Sequence, residues 1–137
     1  MTGGAVPTDG FVRRCVGAGA LLMLASLVLG ALGTHVVASR VPASVYSGYE
    51  TAVLYQSLHA LGLILVGVLA RTTGVTGWLR GSAALMAVGV MLFSGTIYLV
   101  TAGASRHWLA AAPGGGMALM ASWVLLAVHA ARWTRGD

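Results

Sequence analysis

His59 is the side chain in this sequence best placed to do chemistry. It lies within an apolar run, roughly 10 Å from one end if that run is a helix. Tyr55 and Gln56 precede it by about one turn. An imidazole has two ring nitrogens to satisfy and a glutamine a whole amide. Ser94 and Ser122 sit in two later apolar runs, at expected depths of about 9 and 10 Å from the same side. Tyr98 lies nearer that surface. An unpartnered polar group in hydrocarbon is costly. A polar core of His59, Gln56, Tyr55, Ser94, Tyr98 and Ser122 is therefore expected, its members bonded to one another, to water or to a ligand. The chemistry on offer is interhelical hydrogen bonding, contact with a ligand, or proton handling.

Other chemistries lack their residues. Cys15 is the only cysteine, so a disulfide within the chain and a thiolate metal site are both excluded, and it reads as a small apolar residue. The acids are Asp9, Glu50 and Asp137, which provide no carboxylate pair. No nucleophile has a base at a recognised spacing, and Gly114–Gly116 lacks the Lys-Ser/Thr of a phosphate loop. The six methionines are dispersed and read as packing. No enzyme activity, metal or cofactor is expected. If a ligand binds, a quinone or lipid is preferred to haem, because His35 and His59 differ in depth by about 10 Å, too far for a shared iron. His35 and Glu50 are outer-interface candidates, where a solvated imidazole and carboxylate need no further role. His107 and His129 are expected at interfaces.

The elements that carry these residues follow from composition. Of 137 residues, 58% are hydrophobic and 8% charged, and the mean hydropathy is +0.87. A soluble domain carries about 25% charged residues, so a water-soluble globule and a disordered chain are both excluded. The net charge is +5, but the arginines are scattered between apolar runs and make no stripe for nucleic acid. Four runs, Val16–Thr34, Ala52–Ala70, Gly81–Val100 and Gly114–Ala131, are each long enough to cross a bilayer as a helix. The expectation is an all-α, integral membrane, up-down-up-down four-helix bundle over residues 16–132, with helices at about 16–35, 50–70, 78–101 and 114–132. Residues 1–15 and 133–137 are expected to be tails, and the first run a retained helix rather than a cleaved signal.

Arginine counting orients the bundle. Arg13, Arg14, Arg71, Arg80, Arg132 and Arg135 fall on one side, Arg40 and Arg106 on the other. That bias implies both termini in the cytoplasm and a multi-pass protein of a bacterial inner membrane. Trp78 and Trp133 on the inner side, and Tyr46, Tyr49 and Trp108 on the outer, read as interface anchors. Each run also carries one stripe of small and polar residues, assigned to the interior. Gly30, Gly33, Gly95, Gly114 and Gly115 are the expected points of close helix packing.

Four motifs give the chain a family resemblance. Gly30-Ala31-Leu32-Gly33-Thr34-His35 is similar to a GAxGAH motif, and Tyr55-Gln56-Ser57-Leu58-His59-Ala60-Leu61 to YQxxHAL. Leu92-Phe93-Ser94-Gly95-Thr96-Ile97-Tyr98 is similar to LFSGSLY, and Pro113-Gly114-Gly115 with Ser122-Trp123 to PxGG followed by GW. Together they resemble domain of unknown function 423, whose eukaryotic members are called transmembrane protein 256. Thr34, Thr96 and Ser122 replace the usual Ala, Ser and Gly. The resemblance implies a four-helix membrane protein and no established reaction. The function expected is that of a structural or accessory protein associating with lipid, another membrane protein or further copies of itself. The alternatives are a binder of a hydrophobic ligand in the outer half of the bundle and an oligomeric transporter or channel subunit.

Overall fold

The computed structural model describes residues 7–133, which form helices joined by short connections, with no strand among them. Helix α1 spans Pro7–Leu32, with Asp9 in its first turn, where a carboxylate complements the helix dipole. A π-helical turn, Gly33–Val37, continues it. Helix α2 spans Ala43–Thr73, and its N-cap position is Pro42. Gly74 ends it in the left-handed region, at φ +81°. Thr76 caps α3 (Gly77–Val90), its hydroxyl accepting from the Leu79 N–H at 3.3 Å. A second π-helical turn, Met91–Gly95, joins α3 to α4 (Thr96–Thr101), so the two form one span. A 3₁₀ segment, Arg106–Ala111, leads into α5 (Ala112–Arg132), with Pro113 in its first turn. Four stretches, Asp9–Val37, Ala43–Thr73, Gly77–Thr101 and Arg106–Arg132, are long and apolar enough to cross a membrane.

These helices extend past the apolar runs. The expected tail over 1–15 is corrected from Pro7 onward, because α1 begins there and buries Val12 and Cys15. Residues 1–6 and 134–137, with Arg135, lie outside the described residues. Helix α2 begins at Ala43 rather than near 50, and the connections between spans are only 38–42, 74–76 and 102–105. Hydropathy marks the hydrocarbon, whereas backbone hydrogen bonding continues a helix into the polar headgroup layer.

Packing is pairwise. Helix α1 lies along α2 and α5 along α3, while α2 meets α3 to join the pairs. Close approach occurs at glycines. A Cβ on Gly19 would lie 2.6 Å from the Ala60 carbonyl oxygen, and one on Gly67 3.1 Å from Cys15 Cβ. Gly89 and Gly115 meet where α3 crosses α5, a Cβ on Gly89 lying 3.1 Å from the Gly115 oxygen. Of the five expected packing glycines, Gly33 fits against the Tyr49 ring and Gly115 against the backbone of Phe93. Gly30 makes only an ordinary contact with Val53, and Gly95 and Gly114 face open space, which corrects their assignment. An apolar core cluster includes Cys15, Leu63, Val66, Leu79, Met86 and Leu126. Helix α1 leaves Leu21, Leu24, Leu27 and Val28 exposed along its outer face.

Candidate functional site

The polar residues of α2 project to both sides of that helix. Gln56 is buried, and its Nε2 donates to the Leu22 carbonyl of α1 at 3.0 Å. One heptad earlier, the Tyr49 hydroxyl donates to the Leu29 carbonyl of α1 at 2.7 Å. Seven residues are close to two helical turns, so both side chains face α1. Tyr49 is therefore a buried clasp, 4% exposed, rather than the interface anchor expected from its place near the helix end. Replacing Gln56 with Leu should cost about 1 kcal/mol, typical of one interhelical hydrogen bond in a membrane. The measurement is the midpoint of thermal unfolding in detergent, and an unchanged midpoint would show that the bond contributes nothing.

His59 turns toward α5. Its Nδ1 is 2.7 Å from the Tyr55 carbonyl, one turn back, and its Nε2 is 3.0 Å from the Trp123 indole nitrogen. A carbonyl can only accept and an indole N–H can only donate. The imidazole is thereby fixed as the neutral tautomer protonated at Nδ1, with both nitrogens occupied. A second proton on Nε2 would set N–H against N–H, so His59 could relay protons only if the pair opened. The same bond occupies the nitrogen a haem iron would need. The rings meet edge to face, with centroids 5.9 Å apart. Trp123 stands in one of the four motifs, but its bond to His59 spans 64 residues and leaves no local signal.

The hydroxyls do not converge on this pair. Ser94 Oγ donates to the Ala52 carbonyl of α2 at 2.8 Å. Ser122 Oγ donates within its own helix, to Leu119 O at 2.6 Å, while the Ser122 carbonyl accepts from Ser82 at 2.8 Å. The expectation of a shared His59–Ser94–Ser122 network is corrected: each hydroxyl takes a backbone carbonyl on its own or the adjacent helix. Tyr55 is also corrected, since it is 38% exposed and its ring stacks on Phe93 at 5.0 Å. Tyr98 packs against Tyr49 at 5.3 Å between centroids, and its buried hydroxyl has no hydrogen-bond partner among the described residues.

At the end of the bundle away from the termini His35 is exposed on the first π-helical turn. Glu50 is exposed beside a groove of about 440 Å³ between α1 and α2, lined also by Gly33, Tyr46 and Tyr49. A second groove at that end, of about 550 Å³, lies between the start of α2, the end of α4 and the 3₁₀ segment. His107 is exposed on that segment. His129 stands in the last turn of α5, near the bundle end where it was expected. It is buried, with Nε2 3.2 Å from Thr73 Oγ1 and Nδ1 3.1 Å from Thr76 Oγ1. Among the described residues no three His, Cys, Asp or Glu side chains come together as a metal site would require.

The second π-helical turn explains a motif. Thr96 Oγ1 donates to the Leu92 carbonyl at 2.6 Å and lies 3.1 Å from that of Phe93. It thereby serves carbonyls of the turn, where the regular hydrogen-bond ladder is interrupted. Gly115 of α5 presses on the same turn, where an added Cβ would lie 2.5 Å from the Phe93 nitrogen. Two motif segments, one around Ser94 and one around Gly115, thus form one contact.

Known proteins carry related sequences. The profile of a family described as "Protein of unknown function (DUF423)" matches residues 29–116. The UPF0382 membrane protein of Staphylococcus haemolyticus is 35% identical over 114 residues, covering 80% of this chain and 88% of the relative. The UPF0382 membrane protein YwdK of Bacillus subtilis is 33% identical, covering 84% and 94% respectively. The UPF0382 inner membrane protein YgdD of Escherichia coli is 32% identical, covering 80% and 82%. No solved structure matches the chain. The matched residues run from the end of α1, through the Gln56 and His59 contacts, to the glycine that seats α5, and the chain belongs to the DUF423 family of membrane proteins.

Proposed function

We propose that this chain is a non-enzymatic structural or accessory membrane protein, whose polar core holds its own helices and whose outside serves lipid and another membrane protein. One observation carries the reading: the buried polar side chains on α2 are matched within the fold. Gln56 bonds α1, and both nitrogens of His59 are engaged by Tyr55 and Trp123. A group committed in this way contributes to helix association and presents little to a substrate. Extraction in a mild neutral detergent tests the proposal. The expected result is co-purification with a stoichiometric membrane protein, retained in His59→Leu, and no visible absorption band. A lone monomer carrying a tightly bound cofactor would overturn it.

The ligand-binding reading has one observation in its favour. The Tyr98 hydroxyl is buried with no hydrogen-bond partner among the described residues, in a side chain that also borders an apolar surface groove with Met91, Gly95, Leu99 and Ala102. A quinone or lipid carbonyl reaching that hydroxyl would complete its hydrogen bonding. On this reading Tyr98→Phe lowers the quinone or lipid retained through purification, as counted by mass spectrometry of the extracted protein. On the structural reading retention is unchanged.

The proposed location is a bacterial inner membrane with both termini cytoplasmic. Among the described residues the terminal end carries Arg13, Arg14, Arg71, Arg80 and Arg132, all exposed, against Arg40 and Arg106 at the other end. Fusing alkaline phosphatase to the C-terminus should give no periplasmic activity, whereas fusion within the 38–42 connection should give high activity. The reverse pattern would invert the topology.

A further inference from the structure

At the end of the bundle that carries both termini, the α2–α3 connection and the last turn of α5 enclose a groove of about 500 Å³. Its lining includes Thr72, Thr76, Trp78, His129, Arg132 and Trp133, with no acidic residue among the described residues that line it. The Arg132 guanidinium lies over the Trp78 ring, 5.2 Å from its centroid. That stacking holds the charge against an aromatic face, and among the described residues no carboxylate pairs with the guanidinium edge. His129 forms the buried floor, tied to Thr73 at 3.2 Å and Thr76 at 3.1 Å, so the groove wall is fixed on α2, α5 and the connection together. Thr72 is exposed at the rim. Trp78 and Trp133, 36% and 51% exposed, are of the residue type that settles at headgroup level.

We infer that this groove seats the phosphate of an anionic phospholipid, with Arg132 as its charge partner and the two tryptophans beside the glycerol region. The inference does not depend on the accessory reading. Guanidinium and phosphate match in planar, two-pronged geometry. The setting matches as well, since Arg13, Arg14, Arg71 and Arg80 give the same end a positive field that concentrates anionic lipid. The field alone would hold lipid diffusely; the groove gives one place at which the phosphate is held.

The test compares the full chain with Arg132→Gln and Arg80→Gln in neutral detergent at high salt, where diffuse attraction is screened. Arg80 is an exposed arginine at the same end that does not line the groove, so its variant removes equal charge elsewhere. Each protein is equilibrated with phosphatidylglycerol or phosphatidylcholine, and bound lipid is counted by native mass spectrometry. The expected result is a preference for phosphatidylglycerol that falls about tenfold in Arg132→Gln, as for loss of a charged hydrogen bond. Arg80→Gln should stay near wild type, and both variants should keep the wild-type unfolding midpoint. Equal losses in the two variants, no preference between the lipids, or an unaffected Arg132→Gln would overturn the assignment. Displacement of the lipid by millimolar inorganic phosphate would overturn it also, in favour of the free anion.

Discussion

Gly115→Val should leave little folded protein. At Gly115 an added Cβ would lie 2.5 Å from the Phe93 nitrogen, 2.9 Å from the Leu92 carbonyl carbon and 3.0 Å from the Gly89 oxygen. These are backbone atoms, so no rotamer change can relieve the clash and α5 must move off α3. Overpacking of this kind costs about 3 kcal/mol or more. In a membrane, association rests on close backbone approach rather than on expulsion of water. The neighbouring glycine is the control. A Cβ added at Gly114 would meet nothing within 4 Å, so Gly114→Ala should be neutral or slightly stabilising. The measurement is the folded fraction recovered in detergent and its unfolding midpoint. Equal behaviour of the two variants would show that α3 and α5 do not cross where described.

His59→Leu should be the next most damaging change, at about 2 kcal/mol, because it deprives the Trp123 N–H of its acceptor. Trp123→Phe removes the donor and leaves Nε2 of the imidazole without one. The double variant should cost less than the sum of the two, by about 1 kcal/mol of coupling. Unfolding midpoints of the four proteins give that coupling directly. Strict additivity would mean that the two rings touch without bonding, and would reopen Nε2 to another partner. The indole reports the same bond independently: tryptophan emission should shift between wild type and His59→Leu, as the Trp123 N–H loses the imidazole.

The fold was legible because hydrocarbon imposes one rule, that each crossing segment satisfies its own backbone. The inward placement of Gln56 and His59 followed from their position in an otherwise apolar run. Three other features were hidden for identifiable reasons. Tyr55 immediately precedes Gln56, and one residue is a turn of about 100° around a helix, enough to carry its ring outside onto Phe93. Gly95 and Gly114 look no different in a sequence from Gly19 and Gly89, because a glycine becomes a contact only where two helices cross, and crossing points depend on packing. His129 finds its hydroxyls at Thr73 and Thr76, more than fifty residues away, a separation that local pattern cannot bridge. The serines depart from expectation in a consistent direction. A backbone carbonyl on the same or adjacent helix is nearer than another side chain, as Ser94, Ser122 and Ser82 all show.

The pairing of α1 with α2 and of α3 with α5 bears on how the chain is made. Each pair joins successive spans, so most contacts form between segments that leave the ribosome one after the other. Both side-chain bonds to α1, from Tyr49 and Gln56, lie within the first hairpin, so its closure needs nothing from α3. It can therefore be laterally released into lipid and closed while the second is still being translated. The late event in biogenesis is then the docking of two finished hairpins, sealed by the His59–Trp123 bond and the His129 clasp.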